Sequence, residues 1–300
     1  MSASTRIDRC KPDDLPELVR RWDEEFVFAK GRQLSVAERF PEVVSPANVE
    51  NIHLVRAGNG IAAAAAVKLF GWVAQGRTWR GAMVGLVYTR PDCRGRGLAS
   101  RVLHALQEDL GRKADFGVLW TTIPAFYKRL GWVGGDTSLF GEAFGPPAPD
   151  AGPAIRPRPL CRDDIVLVET IRSRWAPERV ERSLLSYRAV PLPACSVEAF
   201  LLDGGDGEQG YALVGRDGET GYLYELVGHP GTYEQLWGAV TASYRKTYIN
   251  DRVGGALSEW LNERGLAAWK RQDLAMWLPL SARSREVPPG RWSIPYLDRF

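Results

Sequence analysis

The sequence predicts an α/β protein made of two similar halves, and three observations support this. Between residues 81 and 131, apolar strand-like runs alternate with amphipathic helix-like segments, an order typical of the α/β class. The segment 141–154 is rich in Gly, Pro and Ala and is typical of a linker. The chain beyond it repeats the same order of strands and helices. We therefore expect one domain over 1–145, a linker over 146–154 and a second domain over 155–300.

The composition is typical of a water-soluble globular protein and argues against several kinds of partner. Of the 300 residues, 45% are hydrophobic and 25% are charged. The net charge of +3 is too small to predict a nucleic-acid or membrane partner, and the arginines are scattered among acidic residues. Four scattered cysteines and three histidines predict neither a disulfide framework nor a metal site. No apolar run reaches ~18 residues and the N-terminus lacks an apolar leader pattern, so we expect a cytoplasmic protein, with a homo-oligomer left open.

The first half predicts helices followed by a hairpin. Apolar residues at helical spacing predict a helix over 13–28, and a second short helix is expected over 35–40. Asn59-Gly60 between two apolar runs is a strong hairpin signal. The alanine run 62–66 would favour a helix by propensity, but the hairpin before it and the apolar residues after it favour a strand.

The segment between the hairpin and the linker carries the α/β signal. A strand is expected over 81–89, a helix with one apolar stripe over 98–110, and a strand buried on both faces over 116–122. A short helix then ends at Gly131. In the second half, strands and turns precede two helices and a final apolar run, LAMWLPL. These two helices are expected over 232–245 and 254–262.

The loop 92–100, DCRGRGLAS, is the first candidate for a binding site. It lacks the lysine of a P-loop and the third glycine of a dinucleotide-binding fingerprint, but Arg94 to Ala99 fit the pattern [R/Q]xxGx[G/A]. Gly97 and Ala99 are small enough to let a diphosphate approach backbone N–H groups at a helix N-terminus. Arg94 and Arg96 can add charge-assisted hydrogen bonds. For the loop by itself, a solvated basic turn is the alternative.

A second motif, FYKRLGW at 126–132, follows the buried strand. A strand, an RGxGLA loop, an amphipathic helix, a buried strand and FYxRLGW together resemble the GNAT superfamily of N-acetyltransferases over roughly residues 1–145. The resemblance implies an α/β (α+β) fold in which each domain has a mixed, mostly antiparallel sheet flanked by helices. It also implies acetyl-CoA as co-substrate, and direct transfer of the acetyl group to a small-molecule or peptide amine.

The resemblance assigns roles to the residues that match the family's motifs. The strand before the loop would pair with the pantetheine arm, the loop would hold the pyrophosphate, and the end of the next strand would flank the cofactor. Tyr127 matches the family's general acid. Thr89 stands where the family usually has an apolar residue, a departure that leaves backbone pairing unaffected. The implied cofactor-binding residues are Val87, Tyr88, Thr89, Arg94, Gly95, Arg96, Gly97, Leu98, Ala99, Ser100, Thr122 and Ile123.

The second half resembles a copy of the first half without this chemistry. A shift of 134 positions places FYKRLGW on WLNERGL, and Gly97 on Gly231. We therefore expect a degenerate GNAT-like domain with a structural role. The tandem arrangement resembles the enhanced-intracellular-survival acetyltransferases, but without their sterol-carrier-like domain. The same shift places Arg94 on Gly228, Ala99 on Tyr233 and Tyr127 on Leu261.

The acceptor side of the expected reaction is less defined. In the tandem group the final carboxylate reaches the active site, so the resemblance implies that Phe300 supplies the base that deprotonates the amine. Trp22, Glu25 and Phe26 in the first predicted helix are candidates for contact with the acceptor, with a solvated acidic helix face as the alternative. An acyl-CoA-binding sensor or scaffold without turnover is the alternative function, which would need the loop but not Tyr127.

Overall fold

The computed structural model describes most of the chain, and its helices and strands follow the predicted order. The predicted hairpin residue Asn59 and the whole predicted linker 146–154 lie outside the described residues. The described ranges are 6–58, 60–144, 155–204, 207–287 and 291–300.

The helices are α1 Leu15–Trp22, α2 Val36–Arg39, α3 Leu98–Lys113, α4 Pro124–Lys128, α5 Arg162–Trp175, α6 Tyr233–Ser243 and α7 Ala256–Glu263. The strands are β1 Ile7–Arg9, β2 Ile52–Ala57, β3 Gly60–Ala74, β4 Arg77–Thr89, β5 Phe116–Trp120, β6 Val133–Gly134, β7 Ser138–Ala143, β8 Arg179–Val180, β9 Ser196–Asp203, β10 Gln209–Asp217, β11 Thr220–Gly228, β12 Lys246–Arg252, β13 Ala267–Arg271 and β14 Ala275–Pro279.

The strands form two mixed, mostly antiparallel sheets flanked by helices, which confirms the predicted fold class. The first sheet has the order β1-β2-β3-β4-β5-β14-β6, with β8 beside β3. The second has the order β13-β7-β12-β11-β10-β9. Each sheet contains one parallel pair, β4 with β5 and β11 with β12. No helix in the described ranges is long and apolar enough to span a membrane.

The first predicted helix is present but changes its hydrogen-bonding pattern along its length. A 3₁₀ turn precedes α1, and a π-helical turn (Asp23–Val27) and a second 3₁₀ turn follow it before Gly31 ends the segment with φ +68°. The Asp23 carboxylate accepts hydrogen bonds from the Val36 N–H at 2.7 Å and from the Ser35 hydroxyl at 2.8 Å. Asp23 therefore ties this helical segment to the start of α2.

The alanine run 62–66 is a strand, as predicted, and lies in the fully buried part of β3. Alternate side chains of a strand point to opposite faces of the sheet. Ala63 and Ala65 belong to the apolar cluster that includes α3, while Ala64 and Ala66 belong to the cluster that includes α1. The small side chains let helices pack closely on both faces of the sheet.

The two sheets exchange strands, so neither sheet is drawn from one half of the chain alone. β14, near the end of the chain, pairs with β5 and β6 of the first sheet. β7 lies in the second sheet between β12 and β13. Residues 141–143 therefore belong to β7. The prediction of a linker from Gly141 onward was wrong for these three residues. Gly141 is required here because a Cβ atom at this position would lie 2.8 Å from the Trp269 ring.

The chain's last segment is held by a buried group of charges. Arg182, whose side chain is fully buried, contacts Asp298 at 2.6 Å and Glu225 of β11 at 2.8 Å. A second buried arginine, Arg172 of α5, lies 3.6 Å from Glu225. Burial raises the pKa of Asp298, but the charge and hydrogen bonds of Arg182 outweigh burial and hold that pKa below its usual value. The helix α5 was not predicted.

Arg299 anchors the same segment against both sheets. Its guanidinium donates hydrogen bonds to the Ser138 hydroxyl of β7 at 2.6 Å and to the Gln272 side chain at 3.1 Å. It also lies 4.8 Å from the ring of Trp120 at the end of β5. These contacts fix the position of the residue that follows, Phe300.

We expect Arg182→Ala to lower the free energy of unfolding by about 3–5 kcal/mol, because it leaves Glu225 and Asp298 buried without their main partner. Chemical denaturation measures this loss. Arg245→Ala is the matched control, since Arg245 is 84% exposed and pairs only with the exposed Glu219, so about 0–1 kcal/mol is expected. A loss below 1 kcal/mol for Arg182→Ala would contradict the structural role of the charge group.

Candidate active site

β4 and β5 begin as neighbours and then separate. They pair in parallel only from Gly81 with Phe116 to Met83 with Val118. Beyond Met83, β4 continues to Thr89 along β3 alone among the described strands. The edge of β4 that faces β5 therefore carries backbone groups without a strand partner. Such an edge can accept an extended ligand as an added strand.

A bulge sits in β4 where this edge opens. The register shifts so that Gly85 pairs with Ala66 and Tyr88 with Ala64. Leu86 has φ +49°, a strained conformation for a residue with a side chain. Bulges redirect backbone groups next to functional sites. The predicted residues Val87, Tyr88 and Thr89 follow immediately and form the open end of β4.

The predicted phosphate loop connects β4 to the start of α3. Gly95 and Gly97 have φ +75° and +71°, and a Cβ atom at either position would meet nothing within 4 Å. The loop surface is therefore open, and glycine is needed for its conformation. Gly97 directly precedes α3, with no side-chain cap, so backbone N–H groups at Leu98, Ala99 and Ser100 begin the helix. This arrangement suits an anion.

Arg94 joins the loop to the first helical segment. Its guanidinium donates to the Thr89 carbonyl at 3.1 Å and to both carboxylate oxygens of Glu25 at 2.9 Å. The structure thus brings Glu25, a candidate acceptor contact, to the loop instead of to a separate pocket. Arg96 is exposed at the loop surface.

The end of β5 lies beside β4, the strand that leads into the loop. Thr122 and Ile123 lie between β5 and α4, and Ile123 is among the exposed large apolar side chains. The Ile123 N–H donates to the Thr121 hydroxyl at 3.0 Å. Both predicted residues therefore sit where β5 has separated from β4.

Tyr127 lies in α4 and is 7% exposed. It belongs to the apolar cluster that contains α3 and Leu119 of β5. Its ring makes edge contacts with Phe126 and Trp132. Burial raises the pKa of the Tyr127 phenol to about 12. The phenol is therefore a hydrogen-bond donor at every physiological pH.

Phe300 lies against β4 at the bulge. Its ring packs on Gly85, where a Cβ atom would come within 2.8 Å of the ring. The ring also makes an edge contact with Phe40, with centroids 5.8 Å apart. Phe300 and the open end of β4 are thus neighbours, although they stand more than 200 positions apart in the sequence.

Trp22 and Phe26, the other candidate acceptor contacts, pack in the apolar cluster that contains Tyr88. Trp22 is fully buried and Phe26 is partly buried. Neither residue lines the cavity that adjoins Phe300 and Trp120. In this conformation Trp22 offers no surface to a ligand.

A cavity of about 230 Å³ adjoins Phe300 and Trp120. Sequence reasoning missed every residue of its lining except Phe300, because they come from separate segments and share no motif. Only the C-terminal tail, WSIPYLDRF at 292–300, carried a sequence signal, because it is aromatic and contains a proline. The lining residues are Phe40, Trp120, Pro191, Leu192, Gln272, Leu274, Tyr296, Arg299 and Phe300.

Another cavity, of about 350 Å³, lies in the second half, where β11 and β12 separate in the same way. The tail segment from Ser293 to Tyr296 lines part of it. Tyr233 begins α6 there, and Gly228 ends β11. Leu261 is buried in the core of this half. This cavity is larger than the one beside Phe300, but the arginine and the phenol of the first half are missing from the aligned positions.

Within the described ranges, no group of three or more His, Cys, Asp or Glu side chains could hold a metal ion. The site is instead built from a strand edge, an arginine-containing loop, a helix N-terminus, a buried phenol and the chain's last residue.

Comparison with known proteins agrees with this geometry. Residues 6–134 match the family model described as an acetyltransferase (GNAT) domain. The matched residues contain β1 to β6 and the loop 92–100, and they make up less than half of the chain. No curated protein matched.

Solved structures share the fold over most of the chain. A GCN5-related N-acetyltransferase from Anabaena variabilis has a TM-score of 0.72 at 16% identity, covering 92% of this chain and 73% of its own. A probable N-acyltransferase from Enterococcus faecalis has a TM-score of 0.72 at 15% identity, covering 93% and 73%. Eis1 from Mycobacterium abscessus has a TM-score of 0.66 at 16% identity, covering 93% and 75%. At these identities the likeness shows the fold alone.

We expect Gly85→Ala to lower the free energy of unfolding by about 1–3 kcal/mol, because the new methyl group must displace the Phe300 ring. In a Phe300→Ala background the same change should cost at least about 0.5 kcal/mol less. Chemical denaturation of the four proteins measures this coupling. Gly111→Ala, in an open position of α3, is the control and should be neutral or stabilising. Additive effects would place Phe300 away from β4.

Proposed function

We propose that this protein is an N-acetyltransferase that moves an acetyl group from acetyl-CoA to a primary amine by direct attack. The observation that carries the proposal is the separation of β4 from β5 directly beside the open loop at Arg94–Ser100. The GNAT match over residues 6–134 supports acyl transfer as the reaction class. The GNAT fold of the solved neighbours agrees with it.

The open edge and loop fit the two ends of a CoA molecule. The pantetheine arm would pair with β4 at Val87, Tyr88 and Thr89 as an added strand. The pyrophosphate would lie on the N–H groups at the start of α3, with Arg94 and Arg96 adding charge. Gly95 and Gly97 leave the space that close approach requires. Arg94 would then exchange part of its pairing with Glu25 for the phosphate.

Different groups of the protein would accept the amine proton and stabilise the developing negative charge. The carboxylate of Phe300, the residue whose ring packs at the β4 bulge, would accept the proton of the acceptor ammonium directly or through water. A backbone N–H near Val87 and Tyr88 would stabilise the developing oxyanion. Thr122 and Ile123 would border the thioester from the β5 side.

The raised pKa of Tyr127 defines its role. A phenol with a pKa of about 12 lies well above the ordinary thiol pKa of about 8.5, so full transfer of its proton to the leaving thiolate is uphill. Tyr127 would instead stabilise the departing sulfur chiefly by a hydrogen bond.

The second half would act as a support, not as a second active site. At its helix start Tyr233 would occupy the space that Ala99 leaves free in the first half, and Leu261 would replace the phenol. The residues of this half that reach the first site are Pro191, Leu192, Gln272, Leu274 and the tail. We propose that its role is to hold the tail and to complete the acceptor cavity.

Thiol release from acetyl-CoA in the presence of a panel of amines tests the proposal. The full chain should release CoA only when an amine is present. Ala99→Tyr, which copies the second half, should weaken CoA binding at least tenfold, or about 1.4 kcal/mol. His104→Tyr, on the exposed face of the same helix, is the matched control and should leave CoA binding unchanged.

CoA binding without thiol release for any amine would favour the sensor alternative over the enzyme. No difference between Ala99→Tyr and His104→Tyr would remove the loop from CoA binding.

Tyr127→Phe should lower kcat by roughly tenfold to a few hundredfold, within the scale of general acid effects. Because burial raises the folded pKa to about 12, the phenol stays protonated, and the ratio of wild-type to variant rates should be constant from pH 7 to about pH 10. Rate–pH profiles of both proteins measure this. A ratio that falls toward one above pH 9 would assign Tyr127 a pKa lower than its burial implies.

Deletion of Phe300 should lower kcat by about 10²- to 10⁴-fold, because it moves the base away from the β4 bulge. Phe300→Leu keeps both the terminal carboxylate and an apolar side chain, so it should retain most activity. Steady-state kinetics compare the two variants, with unfolding curves to verify that both fold. Equal activity of the deletion and the full chain would exclude the carboxylate as base.

A further inference from the structure

We infer that the acceptor is a primary amine that carries one positive charge on an apolar, ring-sized body, and that this body binds in the cavity beside Phe300. The inference rests on the proposed function and names the substrate class for the same site. It depends on the place of the cavity, the chemistry of its lining, the charges around it and its size.

The cavity opens where the reaction would take place. Trp120 is the last residue of β5, and the Phe300 ring packs on Gly85 of β4. Both residues line the cavity, so it lies at the point where the two strands have separated. A molecule bound there can present its amine to the open edge of β4. The same position places that amine near Phe300, the residue that carries the terminal carboxylate.

The lining is apolar and aromatic. Among the described lining residues, the polar side-chain groups are those of Gln272 and Arg299, the Tyr296 hydroxyl and the Trp120 indole N–H, and none of the side chains is a carboxylate. The remaining surface favours an apolar body, because its burial removes apolar area from water. The apolar and aromatic lining residues are Phe40, Trp120, Pro191, Leu192, Leu274, Tyr296 and Phe300.

The fixed charges at the cavity are positive. Arg299 lines it directly. Arg39, buried at its edge, donates hydrogen bonds to the carbonyls of Val190 and Ala194, which flank the two lining residues Pro191 and Leu192. An acceptor with several ammonium groups would bring like charges together, which costs several kcal/mol.

The nearby carboxylate of Asp136 offsets part of the Arg299 charge, but it is not among the residues that line the cavity. It accepts hydrogen bonds from the backbone N–H groups of Ser138, Leu274 and Ala275 at 2.8–3.0 Å. Asp136 therefore holds β7 and β14 in place. Among the residues that line the cavity, the only carboxylate is the terminal one of Phe300, which suits a single ammonium group.

The size agrees with a small body. One water occupies about 30 Å³ of liquid volume, so a 230 Å³ cavity has room for roughly eight water-sized groups. A single ring with a short alkylamine chain has about this bulk. 2-Phenylethylamine is therefore the probe for the proposed class, and spermidine is the polycationic comparison.

The test measures kcat/KM for both amines with the full chain and acetyl-CoA. We expect 2-phenylethylamine to be preferred over spermidine by at least about 100-fold, because the second and third ammonium groups find no carboxylate in the cavity. Leu274→Glu places a carboxylate in the lining and should shift this ratio toward spermidine by at least about tenfold. Leu184→Glu is the matched control, since Leu184 is 56% exposed and outside the cavity, and should leave the ratio unchanged.

Calorimetry of 2-phenylethylamine with the protein separates the two proposals. Acetylation with a preference for spermidine would overturn the inference while keeping the proposed function. Saturable binding that Leu274→Glu weakens, without acetylation of any amine, would overturn the proposed function while keeping the cavity's ligand class. Neither binding nor acetylation of 2-phenylethylamine would overturn the inference outright. If Leu274→Glu leaves the ratio of kcat/KM for the two amines unchanged, the acceptor binds outside this cavity.

Discussion

The buried pairing of Arg182 with Asp298 and Glu225 is the constraint on which the rest of this molecule depends. Charges that are removed from water need close partners, and here the partners come from the tail, from β11 and from the segment after α5. These ion pairs form when the tail, β11 and the segment after α5 lie together as they do here. Arg299 continues the anchor toward β7 and the end of β5. The chain's last residue is consequently held against the β4 bulge instead of moving freely at the surface.

The strand exchange has the same effect on a larger scale. Because β14 completes the first sheet and β7 completes the second, the halves cannot separate without breaking backbone pairing in both sheets. The end of β5 thus meets the tail and the Pro191–Leu192 segment in a fixed geometry. A cavity built from such distant segments keeps its shape only when these connections hold, which explains how a half without the loop arginine and the phenol can still contribute to the proposed acceptor site.

The two halves show how similar backbones can differ in chemistry. Both sheets contain one parallel pair that separates at its end. In the first half, glycines with positive φ and a small residue at the start of α3 leave the strand edge and helix N-terminus open. In the second half, tyrosine begins the corresponding helix and the tail lines the opening. The difference lies in a few side chains and not in the sheet.

The sequence by itself determined the fold class, the order of most strands and helices, and the loop and phenol of the candidate site. These features depend on local signals: apolar periodicity, the Asn-Gly hairpin, and glycine spacing before a helix. Local signals failed at α5 and at residues 141–143, where a glycine-rich composition hid a strand that is stabilised by pairing with β12 and β13. Only the tertiary structure decided that Glu25 pairs with Arg94, that Trp22 is buried, and that nine residues from distant segments form one cavity. No periodicity or motif records these contacts, because they join residues that are distant in the sequence. The cavity depends in addition on the strand exchange and on the buried charge group that holds the tail.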